Sequence, residues 1–333
     1  MTQPNIAQAL QITVERAGSL ESSHLVDAVI CDRQGGVIAG YGDYNRLVFP
    51  RSAIKPLQAI ALVEYLLEHH QADRLTDADY SVICASHNGE VAHTTAVQTL
   101  LDRFSISKES LSCGAHWSNH QPTCLVQAKS WQAPEKIHNN CSGKHAGMLA
   151  LGQLLGCDLK GYADVVHPVQ QAIITVIEEM ADISLADYTC GIDGCGAPAF
   201  SAPMTNWACA FARFTTTEGL RGRACARIAD GIAKEPFLIG GSGRACSDVN
   251  QAYGRDVTVK IGAEGVYAIA AQQFGLGAML KVRDGNMRIA GVALGQILHD
   301  LGYAKRPELD LHFAPTLYNW AGDEVGRIRV QAT

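Results

Sequence analysis

From Leu57 onward the apolar positions Leu57, Ile60, Ala61, Val63 and Leu67 recur at helical spacing and stop near His69-His70, which predicts a helix. Pro56 stands at its start, the one place where a missing N–H is not needed. Upstream the period changes to two. Residues 10–18 alternate like a strand. His24 to Cys31 and Val37 to Tyr41 flank Asp32-Arg33-Gln34-Gly35-Gly36, the pattern of a hairpin closed by a glycine turn.

Tyr80 to Ala85 is a short apolar run, followed by a helical pattern from roughly Val91 to Phe104. Further apolar helices are predicted to about Leu155, over Pro168 to Met180, over 203–214 and over 219–233. Val257 to Gly265 reads as a strand ending in a glycine turn. Val266 to Ala270 and Ala278 to Val282 read as strands, Asp284-Gly285 as a turn, Ile289 to Leu301 as a helix and Gly326 to Val330 as a short β-like end. Residues 112–140 lack periodicity and are rich in Cys, His, Trp, Asn and Pro, which reads as ordered loop with short helical pieces carrying site residues. Tyr188 to Phe200 reads as a tight irregular loop. Ile239-Gly240-Gly241-Ser242-Gly243-Arg244 lacks the spacing of a phosphate loop and reads as a turn that lets backbone approach a site. There is no repeat and no linker. The pattern predicts one α/β (α+β) domain over 1–333, with a helical sub-domain around 90–240.

Composition narrows the class. The chain has 333 residues, 47% of them hydrophobic, enough for a large core. A formal charge of -6 without a basic run excludes nucleic acid and anionic membrane as expected partners. No apolar run reaches the length of a membrane span. Met-Thr-Gln-Pro-Asn lacks the basic and apolar regions of a secretory leader. Eleven Cys, an odd number, then read as reduced thiols in a cytoplasmic protein. Cys31, Cys84 and Cys209 stand in apolar surroundings as small buried hydrophobes.

Candidate chemistry begins at Phe49-Pro50-Arg51-Ser52-Ala53-Ile54-Lys55-Pro56. Ser52 falls at the helix start and Lys55 one turn later on the same face. A neutral lysine there can take the serine proton, and the helix N-terminus favours the negative charge that develops. Burial or a nearby cation keeps such a lysine neutral. The plain alternative is a serine N-cap beside a surface lysine. Ser86-His87-Asn88 and Lys260-Ile261-Gly262 complete the order Ser-x-x-Lys, Ser-x-Asn, Lys-x-Gly of serine acyl-transferases of the penicillin-recognising type. In that scheme two lysines in one cleft repel each other, Ser86 relays a proton between Lys260 and the leaving group, and backbone N–H groups at the Ser52 helix start hold the oxyanion. The alternatives are that Ser86 caps the next helix and that Lys260 is an exposed strand-edge lysine.

Cys141-x-x-Lys144 and Cys195 invite a metal reading that spacing alone leaves open, since zinc sites favour Cys-x-x-Cys or paired His. On spacing Cys141 is a buried thiol and Lys144 a helix-face cation. Asp193 can brace its own turn. His116, His120, His138 and His145 show no i, i+4 pairing of a helical zinc site.

Together these stretches resemble a known family. Arg51-Ser52-x-x-Lys55-Pro56, Cys84-Ala85-Ser86-His87-Asn88-Gly89-Glu90, His138-Asn139-Asn140-Cys141-Ser142-Gly143-Lys144-His145-Ala146-Gly147-Met148, Asp193-Gly194-Cys195-Gly196-x-Pro198 and Lys260-x-Gly262-Ala263-Glu264-Gly265 are similar to the class 3, rhizobial-type L-asparaginases, also called the asparaginase II family. The resemblance implies hydrolysis of L-asparagine to L-aspartate and ammonia. It implies a fold like that of glutaminases and serine β-lactamases, an antiparallel sheet with helices packed around it, in a homodimer. It implies two catalytic pairs, Ser52 with Lys55 and Ser86 with Lys260. It also implies a zinc ion beside the substrate, held by Cys141, Lys144, Cys195 and water, accessory to catalysis and supported by Asp193. The expected substrate contacts are Arg51, which as a cation suits the α-carboxylate, with His87, Asn88 and Asp193. The alternatives are a glutaminase or β-lactamase-like serine amidase and, from another class, a zinc- or redox-responsive binding protein.

Overall fold

The period-two segments form strands and the period-3.6 segments helices in the computed structural model, which describes residues 8–130, 133–216 and 218–331. The N-terminal pentapeptide read for a leader lies outside the described residues. The chain divides into two units.

The first unit comprises the described residues up to Ala53, Ser201–Thr215 and the described residues from Val259 onward. Its core is an antiparallel sheet in the order Thr316–Tyr318, Glu324–Val330, Leu10–Arg16, Ser19–Cys31, Leu276–Val282, Val266–Ala271 and Val257–Gly262. Ser19–Cys31 is longer than its sequence pattern predicted. Its first half pairs with Leu10–Arg16 and its last residues with the predicted hairpin partner Val37–Tyr41. Its opposite edge pairs with Leu276–Val282. Val266–Ala271 is buried along its whole length, which explains why it reads as an unbroken apolar run. The helix Met204–Arg213 lies on Leu276–Val282, and Gly277 makes that possible: a side chain there would overlap the backbone at Ala208 and Ala212. Asp27, fully buried in the long strand, is held ionised. Burial opposes its charge, but Arg283, Arg46 and the Asp43 N–H outweigh it and lower its pKa.

The second unit comprises Ile54–Phe200 and Thr216–Thr258 and is mostly helical. Lys55–Glu68 follows directly on a 3-10 turn, Arg51–Ile54, with Pro56 in its first turn as predicted. It packs against Gly219–Lys234, Pro168–Ala181 and Ser142–Leu154. The run Tyr80 to Ala85 falls mostly in a short helix, Asp77–Ile83, opened by a capping box between Thr76 and Asp79. Glycines let this helix be gripped from two sides. A side chain on Gly231 would overlap Tyr80 and Asp77, and one on Gly143 would overlap the Val82 backbone. The Tyr188 to Phe200 segment is more regular than its sequence suggested. It holds a two-stranded hairpin, Cys190–Ile192 with Pro198–Phe200, whose three-residue strands are too short to display a period. The helix Ala245–Tyr253 was not predicted. No helix among the described residues is long and apolar enough to cross a membrane.

Candidate active site

In the second unit Lys55 opens its helix and is only 1% exposed. Burying a lysine requires acceptors for its three donors, and the fold supplies three. Nζ donates to Ser86 Oγ at 3.0 Å, to Cys141 Sγ at 3.1 Å and to the Ala85 carbonyl. Ser86 and Ala85 arrive at the end of the gripped Asp77–Ile83 helix, and Cys141 stands at the start of Ser142–Leu154. Ser86 therefore does not cap the next helix, whose N-cap residue is Glu90.

The loop after Ser86 is fixed along its backbone. Ser86 N–H donates to the Ile239 carbonyl at 3.0 Å, His87 N–H to Asn140 at 3.1 Å and Asn88 N–H to Gly240 at 2.9 Å. His87 is 2% exposed. Its Nδ1 accepts the Gly89 N–H, so Nε2 carries the proton and donates to Ser142 Oγ at 3.0 Å, which in turn donates to the Ile137 carbonyl. Burial, then His93 and Lys55, holds the His87 pKa well below its ordinary value. Asn88 uses its amide N–H groups on Glu90 Oε1 and the Ser242 carbonyl. The glycine-rich turn does approach the site region, as its sequence predicted. Gly241 has φ +108°, and a side chain on it would overlap Glu90, His93 and Asn88.

Beside Cys141 lie the other two thiol-cluster residues. Lys144 Nζ donates to Cys195 Sγ at 3.0 Å. All three are buried, so Lys144 is not a solvent-facing cation. The neighbouring Cys195, then Lys55 and Lys144, lower the Cys141 pKa well below its ordinary value against the effect of burial. Cys141 and burial raise that of Cys195. Burial disfavours the Lys144 ammonium, but Cys195 and Cys141 outweigh it and its pKa rises. Two sulfurs and a lysine nitrogen meeting in one buried cluster form a donor set that zinc can take once they are deprotonated. Among the described residues no group of three or more His, Cys, Asp and Glu is arranged to hold a metal, so a metal here must use the lysine. Asp193 braces its own turn: Gly194 N–H donates to its Oδ1 at 2.7 Å, and Gly196 N–H to its carbonyl at 2.8 Å.

The first unit holds Arg51, Ser52 and Lys260. Arg51 takes φ +53°, a strained value for an arginine, at the start of the 3-10 turn. Ser52 follows it, half-buried. Lys260 is fully buried and donates to the Ile261 carbonyl at 2.9 Å, so it is not an exposed strand-edge lysine. Two residues on, Gly262 presses against Pro50 and Ala53, and a side chain there would overlap the Pro50 carbonyl. Alternation puts Lys260 on the same face of the strand as Gly262. Within this unit the strand bearing Lys260 thus runs against the turn bearing Ser52.

The structure brings together Lys55, Ser86 and Cys141, and Lys144 with Cys195. The link between Glu90 and Ser242 was missed from sequence, because no spacing rule relates residues 152 apart.

The L-asparaginase II family model matches residues 12–330. The chain belongs to the L-asparaginase II family. No curated protein matches the chain significantly. Similar solved structures include the native form of Mglu, at 13% identity and TM-score 0.44, covering 84% of this chain and 64% of that one. The chain therefore spans just under two thirds of that protein. A β-lactamase from Mycobacterium bovis is similar at 12% identity and TM-score 0.43, over 83% of this chain and 94% of that one. A probable glutaminase from Bacillus subtilis, complexed with 6-diazo-5-oxo-L-norleucine, is similar at 11% identity and TM-score 0.37, over 84% and 85%.

Proposed function

We propose that this chain hydrolyses L-asparagine to L-aspartate and ammonia by serine–lysine catalysis. The observation that carries the reading is the buried Lys55 amine 3.0 Å from Ser86 Oγ, in a chain whose family acts on amides. Ser52 attacks the side-chain amide carbon, and Lys55, one turn along the chain and in its neutral form, takes its proton. The tetrahedral oxyanion is held by backbone N–H groups at the start of the Arg51–Ile54 turn. As the intermediate collapses the C–N bond breaks, Ser86 passes a proton to the departing nitrogen and ammonia leaves, with Lys260 as the second base. Water then attacks the ester, giving L-aspartate and free serine. Arg51 offers a cation for the substrate α-carboxylate.

Zinc, when bound, would be held by Cys141, Lys144 and Cys195 and would supply a positive charge that strengthens substrate binding. The protein's own share there is to favour deprotonation of Cys141, whose pKa Cys195, Lys55 and Lys144 lower.

A second reading exchanges the serines. Ser86 then attacks and Lys55 is its direct base, which the 3.0 Å contact favours. One experiment tests both. Ammonia release from L-asparagine and L-glutamine is measured for wild type, Ser52→Ala and Ser86→Ala, and the acyl-enzyme is trapped and mapped by mass spectrometry. Acylation on the Ser52 peptide supports the first assignment and acylation on the Ser86 peptide the second. No ammonia from either amide sinks the amidase reading. The ratio of the two amides gives specificity, since one methylene is worth about 10–200-fold.

A further inference from the structure

The Ser86 loop and the glycine-rich turn lie side by side in the second unit and are joined in two ways. Backbone bonds run from Ser86 N–H to Ile239 and from Asn88 N–H to Gly240. Beyond them a single carboxylate closes the pair. Glu90 Oε1 accepts the Ser242 N–H at 2.9 Å and the Asn88 amide at 3.1 Å, and Oε2 accepts Ser242 Oγ at 2.9 Å. Asn88 returns a bond to the Ser242 carbonyl at 3.0 Å. Gly241 N–H is held by Ser247 Oγ at 2.9 Å, so the turn presents a fixed surface to Glu90. The absent side chain of Gly241 leaves the space that the carboxylate, His93 and Asn88 fill.

We propose that Glu90 is a positioning residue: it clamps the Ser86 loop to the Gly240–Gly243 turn and so fixes Ser86 Oγ against Lys55. The carboxylate touches neither Ser86 nor Lys55. It acts through Asn88 and Ser242, and loss of the clamp lets the loop slide while the Asp77–Ile83 helix behind it stays gripped by Gly143 and Gly231. The catalytic consequence rests on the reading that Ser86 takes part in amide hydrolysis. The mechanical consequence does not.

Two measurements on the full chain separate them. Hydrogen–deuterium exchange of peptides covering 84–93 and 239–244 reads the clamp directly, and kcat and KM for L-asparagine read its use. Glu90→Ala removes all three bonds. It is expected to raise exchange at the Ser86 and Asn88 amides at least about fivefold, the equivalent of one net hydrogen bond, with peptides from Pro168–Ala181 unchanged. It is expected to lower kcat by about 10²-fold, the scale of a 1 Å misplacement, with KM within about threefold. Glu90→Gln keeps an acceptor for the Ser242 N–H and should recover part of both. Ser242→Ala removes one bond and serves if Glu90→Ala does not fold, with about fivefold faster local exchange. Unchanged exchange in 84–93 for both Glu90→Ala and Ser242→Ala overturns the clamp. Faster exchange with wild-type kcat overturns the positioning role. If wild type releases no ammonia, the amidase reading fails and the exchange data alone decide the clamp.

Discussion

Gly143 lies against the carbonyl of Val82 so closely that a methyl group on it would overlap the oxygen. The contact locks the start of Ser142–Leu154 to the end of Asp77–Ile83, the two helix ends from which Cys141 and Ser86 project. Gly143→Ala must therefore push the helices apart. Overpacking of this kind costs about 1–3 kcal/mol, and the Lys55 contacts should loosen with it. Urea unfolding and ammonia release on the same preparation check this. Unchanged stability and turnover would remove Gly143 from the account.

Lys55 can be tested as a base apart from its charge. Lys55→Arg keeps a cation that cannot be deprotonated in proteins, and Lys55→Met removes the amine. Both are expected to lose about 10²–10⁴ in kcat. Lys55→Met also leaves Ser86, Ala85 and Cys141 without their shared donor, at a cost of about 1–3 kcal/mol in unfolding experiments. Wild-type turnover in Lys55→Arg would show that only the charge matters.

The thiol cluster predicts one zinc per chain, measured by metal analysis after dialysis and by competition with a chromophoric chelator. Cys141→Ala and Cys195→Ala should each weaken binding by more than the roughly 10–100-fold that loss of an outer partner costs. With zinc as an accessory, chelation should raise KM for L-asparagine more than it lowers kcat. Loss of all turnover on chelation, restored by zinc, would give the metal a larger part.

His87 and His93 predict the acid side of the stability curve. Burial holds both neutral and lowers their folded pKa below the ordinary 6.5. Below that value the unfolded chain binds protons that the folded chain does not, so stability is present above about pH 6.5 and is lost as pH falls. Each histidine contributes a slope of up to about 1.4 kcal/mol per pH unit. Urea midpoints at pH 7.5, 6.5 and 5.5 should decline in that order, and His93→Gln should flatten the decline. An equal midpoint at all three values contradicts it.

Much of the fold was legible because long elements repeat their pattern often enough to be seen. Lys55–Glu68, Val91–Arg103 and Pro168–Ala181 each run three or more turns with an apolar stripe. The short helix Asp77–Ile83 shows no stripe because its last five residues are all buried, and it read only as a short apolar run. The hairpin at Cys190 is shorter than any period. The candidate residues were legible as motifs, but their partners were not. Ser-x-x-Lys names only Ser52 for Lys55, and the Ser86 hydroxyl that Nζ meets at 3.0 Å lies outside that motif. That contact is made by two helices gripping a third, and no local pattern encodes it.

The sheet of the first unit closes Leu10–Arg16 onto Glu324–Val330, with Ile12 opposite Val330. About 320 positions separate those partners, and at a ribosomal rate of about 5–20 residues per second the first strand waits roughly 15–60 s for its mate. During that interval the helical unit, encoded between Ile54 and Thr258, can finish folding, while a nascent strand edge stays open to wrong pairing. A sheet that pairs strands so far apart in sequence is thus open to wrong pairing during biosynthesis.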